Sequence, residues 1–462
     1  MKNKKRKSKA PERSSKNLVM MAAIAGAIVI IGLFFYKRIF SPPPAETMIP
    51  WTTSPDKYAR TQSFEKKVDG LTDYLDGLPK AKNAELKRLF EKAYASYQAQ
   101  KYAEAIDTLQ ACLNLKASDG ERLALSIMLG NSYSYLGAFN LGEGLYQKAL
   151  LTAVAIDDKA GSAVALGNLG AIRIAAGDLD QASDDLEDAL ELYRQADFRK
   201  GEAIALGNLA NIYYIRGKLD QALEYFEKAL KIHREVGFGE GEASSSGNIG
   251  NIYYLKGDLD RALKFYEDAQ KSHQKIRSRP GEAKSLVAMG AILLRQGNAD
   301  EALTCFENAI EIHKQEGVKK EESMALNNVG LIYRSKGELD QALEYHQEAL
   351  DIAKEIGDKE GEANALTHIG LTYKAKGDKD EALSHLVEAL KIHQETGSKK
   401  GQANALANIG LLYWSGGDLD LALKTLNESL ALFEDLGMSE QVQKTKENIE
   451  LISEMKAELE EE

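Results

Sequence analysis

At 462 residues the chain has room for about three average domains. Its formal charge of −11 is unevenly spread: residues 1–40 carry ten Lys/Arg against the single acid Glu12, so that segment is +9 and the remainder is −20. Phosphate contacts need dense Lys/Arg, so the acidic remainder argues against a nucleic-acid partner. Cys112 and Cys305 lie far apart, which excludes a disulfide framework or a Cys-rich metal site, and they read as small buried hydrophobes.

Residues 1–17 form a basic tail. Leu18–Tyr36 (LVMMAAIAGAIVIIGLFFY) follows, nineteen residues without a charge and long enough to cross a hydrocarbon core as a helix. A cleaved signal peptide has a shorter apolar stretch and a small-residue cleavage site. Here Lys37-Arg38 and Phe40-Ser41-Pro42-Pro43-Pro44 follow instead, with no cysteine nearby to carry a lipid. The run reads as an uncleaved signal anchor meeting the lipid bilayer through residues 18–36. Eight Lys/Arg precede it and two follow. The positive-inside rule then predicts a single-pass cell-membrane protein, N-terminus cytoplasmic and the rest extracytoplasmic, on the periplasmic side. Lys4-Lys5-Arg6-Lys7 reads as part of that topology signal and as an attraction to anionic lipid, ahead of a nucleic-acid patch.

Residues 37–80 read as a linker, because seven of the eight prolines precede residue 81. Ser41–Pro55 cannot sustain a helix and reads as an extended spacer. Phe64, Val68, Leu71 and Leu75 fall at helical spacing, so 57–76 reads as a short helix serving either as an N-terminal cap or as a self-association element.

From residue 81 to 438 the chain repeats itself every 40 residues. Gly161, Gly201, Gly241, Gly281, Gly361 and Gly401 open successive copies, and Gly177, Gly217, Gly257, Gly297, Gly337, Gly377 and Gly417 form a second column. Such a period predicts a solenoid of stacked units. In the copy 201–240, Ala203, Leu206, Leu209, Ala210 and Tyr213 make one helical stripe, predicting a helix over 202–216 that Gly217 stops. Asp220 is expected as the N-cap of a second helix, whose stripe is Ala222, Leu223, Phe226, Ala229, Leu230 and Ile232. Gly237 ends that helix. The fold expected is therefore all-α: a right-handed superhelical solenoid of antiparallel helix pairs, preceded by the transmembrane helix. Nine units are counted, at 84–115 and from near 121, 161, 201, 241, 281, 321, 361 and 401. Residues 439–462 read as a capping helix and acidic tail.

These units resemble the tetratricopeptide repeat, W-x2-L-G-x2-Y followed by A-x3-F and P. Leu206-x2-Leu209-Ala210-x2-Tyr213 and Ala222-x3-Phe226 match it, as do Ile249-Gly250-x2-Tyr253, Val329-Gly330-x2-Tyr333 and Ile409-Gly410-x2-Tyr413. The tryptophan is replaced, and the closing proline gives way to a Gly-x3-Gly connection such as Gly357–Gly361. The 40-residue spacing is most similar to the LGN/Pins type and, more distantly, to kinesin light chain. The resemblance implies that the first helix of each pair lines a concave groove, with Asn168, Asn208, Asn248, Asn328 and Asn408 facing it and His368 and Ala288 at the missing steps. Asn131, Asn211 and Asn251 form a second column. In those families such asparagines hold peptide ligands. Carboxamides can pair with a peptide backbone whatever its side chains, while drift from one duplicated ancestor is the competing account. Tyr214, Tyr254 and Trp414 are expected to pack against ligand side chains, and Arg334 and Lys374 hold the equivalent place in later repeats. A ligand with an apolar and an acidic segment would suit them. Gly167, Gly207, Gly247, Val287 and Thr367 stand where a chaperone-tail clamp needs lysines.

His233, His273, His313 and His393 recur at one repeat position. Stacked units lie ~10 Å apart, too far for shared zinc ligation, so these read as surface or helix-end residues. Gly237-Phe238-Gly239-Glu240-Gly241 follows a helix and fails the dinucleotide context. No catalytic arrangement, metal site or cofactor is expected. The function expected is a membrane-anchored interaction scaffold binding an extended peptide or partner protein. The alternatives are an assembly or secretion factor holding client subunits, and a structural homo-oligomer.

Overall fold

The computed structural model describes residues 83–461, which form nineteen helices and no strand. They run in pairs: α1 (Ala84–Gln98) and α2 (Tyr102–Leu113), α3 (Asp119–Tyr135) and α4 (Phe139–Ala155), α5 (Lys159–Ala176) and α6 (Leu179–Gln195), α7 (Arg199–Ile215) and α8 (Leu219–Glu235), α9 (Gly239–Leu255) and α10 (Leu259–Lys275). After these come α11 (Arg279–Gln296) and α12 (Ala299–Glu316), α13 (Lys319–Lys336) and α14 (Leu339–Glu355), α15 (Lys359–Lys376) and α16 (Lys379–Glu395), α17 (Lys399–Gly416) and α18 (Leu419–Asp435), then α19 (Ser439–Glu461). Each helix packs most closely on its pair-mate and next on the adjoining helix of the neighbouring pair, and α19 covers α18 with Ile452 fully buried.

Small residues set how closely the helices approach. The first helix of each pair presents Gly130, Gly170, Ala210, Gly250, Gly290, Gly330, Gly370 or Gly410 to the side chain sixteen residues on, such as Tyr146, Leu186, Phe226, Tyr266, Phe306 or His346. A Cβ at Gly170 would lie 2.6 Å from Leu186 Cγ, and one at Gly410 would lie 2.7 Å from Leu426 Cγ. The opening glycines do the same between units. Gly201, Gly241, Gly281 and Gly401 accommodate Tyr193, His233, His273 and His393, and a Cβ at Gly241 would meet His233 at 2.5 Å. The histidine column is accordingly interior, at 4%, 6%, 2% and 5% exposure for His233, His273, His313 and His393. They lie in the last turns of their helices, as expected, but not on the surface: His233, His273 and His393 each fill a socket that the next repeat makes by lacking a side chain, while Glu321 stands at that step after His313.

The Gly-x3-Gly connection also resolves differently. Gly357 caps α14 with φ +69°, whereas Gly361 already lies inside α15. In the left-handed column of Gly237, Gly317, Gly357 and Gly397, three repeats instead place Asp157, Asp197 and Arg277 at φ between 54° and 58°.

Asp220 is not the cap. Lys218 holds that place and Asp220 sits in the first turn of α8. In other repeats an aspartate two residues earlier does cap, with Asp178, Asp258 and Asp418 accepting from backbone N–H groups at 3.1–3.3 Å. Asp220 bonds across repeats to Lys256, as Asp180 does to Arg216. Lys336–Asp300, Lys376–Asp340 and Lys456–Asp420 continue the series at 2.5–2.6 Å, always 36 residues apart. These aspartates are largely exposed, so each pair adds little stability and mainly sets register.

The first helices of neighbouring repeats touch one another directly at α3–α5, α5–α7, α7–α9, α13–α15 and α15–α17, and the second helices make no comparable contact among the described residues. The array therefore curves toward its first helices, which form the inner face.

The expected membrane topology is corrected. No helix among the described residues is long and apolar enough to cross a membrane. The single-pass cell-membrane location, the transmembrane helix in the fold and the contact with lipid have no support here. The run 18–36, the linker and the 57–76 helix lie outside the described residues.

Candidate peptide-binding face

The 40-residue step places the asparagine column in the middle of successive first helices, and the structure divides it into two groups. Asn131 is fully buried and its carboxamide makes three hydrogen bonds. The Tyr146 hydroxyl donates to its Oδ1 at 2.5 Å, Asn168 Nδ2 donates to the same oxygen at 3.2 Å, and its own Nδ2 reaches the Tyr97 hydroxyl at 3.4 Å. Asn251 accepts from Tyr266. Asn131, Asn168 and Asn251 are thus struts within and between repeats.

The other group is different. Asn208 and Asn328 are at 3% and 4% exposure, and Asn211, Asn248 and Asn408 are half-buried. Among the described residues none of these five side chains hydrogen-bonds to another protein group. Their amide atoms are not sealed from solvent, so they stand open at the surface of the helix face. Between them lie Gly207 and Gly247, where an added Cβ would meet nothing within 4 Å. Packing does not demand these two glycines, although glycine in a helix costs about 1 kcal/mol relative to alanine.

Six residues beyond the asparagines runs the second expected column. Tyr214, Tyr254 and Trp414 are half-buried, and burial pushes the Tyr214 hydroxyl up. The Arg295 guanidinium lies 5.1 Å from the Tyr254 ring centre. Arg334 and Lys374 occupy the same position on α13 and α15. Desolvation lowers Arg334 to about 10 and Lys374 to about 8. His368 stacks on His346, ring centres 5.2 Å apart, and burial holds His368 neutral at about 3. His346 Nδ1 lies 2.9 Å from Asn327 Oδ1.

Asn327 and His346 were not anticipated. The signal was present, since His346 stands where other repeats have Phe226, Tyr266 and Phe306. A second unanticipated feature is on the outer side. Leu141, Leu151 and Val154 of α4 are 56%, 73% and 65% exposed, where α6 and α8 carry Gln181, Glu191, Arg194, Gln221, Lys231 and Arg234. Among the described residues no group of three or more His, Cys, Asp or Glu is placed to hold a metal ion.

A family model, tetratricopeptide repeat, matches residues 120–195, 201–275, 281–355, 321–395 and 361–435. No curated protein matches the chain. Among solved structures the apo form of RapI is similar at 14% identity and TM-score 0.60, spanning 76% of this chain and 98% of RapI. The apo quorum sensor NprR from B. thuringiensis is similar at 16% identity and TM-score 0.53, spanning 73% and 98%. PH0952 from Pyrococcus horikoshii, a signal-transduction ATPase with a tetratricopeptide repeat sensor, is similar at 16% and TM-score 0.56, spanning 89% and 71%. At these identities the likeness is one of fold. With the family model matched over more than half its length, the chain belongs to the tetratricopeptide repeat family.

Proposed function

We propose that this protein is an interaction scaffold that binds an extended polypeptide along its inner face. The observation that carries this reading is the set of unpaired carboxamides at Asn208, Asn211, Asn248, Asn328 and Asn408, beside the open-faced helix glycines Gly207 and Gly247. A carboxamide supplies one acceptor and two donor hydrogens, the complement of a peptide unit, and a missing Cβ lets a backbone come close. An extended chain laid across the first helices would satisfy groups that the fold leaves open, and its side chains would meet Tyr214, Tyr254 and Trp414. The likeness of the repeats to the LGN/Pins and kinesin light chain type supports the same assignment.

The test is capture by the full chain, using crosslinking and pull-down from a lysate of its source. An Asn208→Ala/Asn248→Ala/Asn328→Ala variant is expected to lose the captured partner while keeping its helix content and melting temperature. Unchanged capture by that variant would overturn the inner-face reading.

A further inference from the structure

Arg334 and Lys374 are cations for which the fold has no use of its own. Among the described residues neither forms an ion pair. Arg334 Nη1 is shut off from solvent and lacks a hydrogen-bond partner. The same position elsewhere holds Ser134, Ile174, Tyr214, Tyr254, Leu294 and Trp414, so the helix packing tolerates small, aliphatic and aromatic groups there. A desolvated charge without a counter-charge is among the costlier features a protein can carry. The 161 repeat relieves such a cost internally, where the largely covered Arg173 has Asp185. Around Arg334 the groups are instead neutral imidazoles. His346 Nε2 and His368 Nδ1 also lack partners, and they belong to the ring stack beside Arg334.

We propose that the 321 and 361 repeats receive two carboxylates of the bound polypeptide, one on Arg334 and one on Lys374. This rests on the reading of the inner face as a polypeptide-binding surface and adds to it the chemistry of the ligand. Adjacent packed helices stand ~10 Å apart, so one anion cannot serve both cations. An extended chain of polyproline II form advances ~3.1 Å per residue and turns once every three residues, so residues i and i+3 lie about 9 Å apart on one face. The ligand is therefore a segment with acidic residues at i and i+3. The apolar stretch of the same column, Tyr214, Tyr254 and Leu294, would take the apolar part of the same chain.

The experiment is fluorescence polarisation of the full chain with a labelled twelve-residue peptide library. It places two glutamates at separations of one to five on an apolar background, each with a Glu→Gln control, and with free or amidated C-termini. Expected is tightest binding at a separation of three, at least ten-fold over the Gln control and independent of amidation. Arg334→Leu and Lys374→Tyr, which copy residues of other repeats, should each abolish most of that ten-fold preference. They should change Gln-peptide affinity far less than Glu-peptide affinity and raise the melting temperature. Equal affinity for Glu and Gln peptides, a preference lost on amidation, or variants that weaken both peptide sets alike would overturn the proposal while leaving the groove intact. Failure of every peptide to bind the wild-type chain would overturn the groove reading and this proposal together.

Discussion

Arg173 and Asp185 form an ion pair at the two positions where later repeats stack rings. Arg173 Nη1 donates to Asp185 Oδ2 at 2.5 Å, with Glu143 3.5 Å from Nη2. The same two places hold Tyr213–Tyr225, Tyr253–Phe265, Tyr333–Tyr345 and Tyr373–His385, with ring centres 5.1–5.6 Å apart. Both charges are mostly covered, and burial raises the Asp185 carboxyl despite its partner. Removing one partner leaves the other desolvated, so Arg173→Ala or Asp185→Ala is expected to destabilise by about 3 kcal/mol. Arg173→Tyr/Asp185→Tyr, which restores the pattern of the other repeats, is expected to be near neutral. Urea midpoints of the four proteins check this, and equal losses for the single and double variants would refute it.

Gly207 and Gly247 separate stability from binding. With open space where each Cβ would go, Gly207→Ala and Gly247→Ala should each stabilise the array by about 1 kcal/mol through helix propensity. If a backbone lies there when bound, the same methyl groups should weaken capture. A gain in melting temperature with no loss of binding would show that nothing comes close at these positions.

The left-handed residues make a second stability test. Arg277 holds φ 58° where most repeats have glycine. Arg277→Gly relieves a strain of about 1–2 kcal/mol, partly offset by glycine's greater backbone entropy in the unfolded chain, so a net gain under about 1 kcal/mol is expected. Asp197→Gly should gain less, because aspartate tolerates this region better. Thermal melts of the two variants measure both effects.

Acid sensitivity follows from the buried imidazoles. Burial lowers His233 to about 4 and also lowers His313, His346, His368 and His393. A histidine whose folded affinity for protons is depressed contributes full stability above its unfolded value of about 6.5, and that contribution is lost as pH falls. For His233 alone, moving from pH 7 to pH 5 should remove about 2 kcal/mol. Melting temperature should drop steeply between pH 6.5 and 4, and His233→Tyr, copying Tyr193, should flatten part of that slope. A melting temperature independent of pH over this range would contradict the buried, neutral assignment.

The helices were legible because period and amphipathic stripes are local properties: residues 202–216 were expected and α7 spans Arg199–Ile215. The histidine sockets were not legible from one position. His233 becomes interior only because Gly241, eight residues later on another helix, leaves room for it. Asp220 misled for the same reason, since its partner Lys256 belongs to the next repeat. The asparagine column looked uniform in sequence, yet Asn131 and Asn168 bond to each other while Asn208 and Asn328 remain open. That division depends on Tyr146 and Tyr97, which no spacing within one helix reveals.

The most direct measurement of the central claim is site-specific photocrosslinking of the full chain in a lysate of its source. A benzophenone side chain is placed at Asn248 or Tyr254 on the inner face, or at the exposed Lys231 or Lys271 on second helices. Adducts with one polypeptide from the inner positions and none from the outer ones are the predicted result. Adducts from Lys231 and Lys271 with none from Asn248 or Tyr254 would contradict the account.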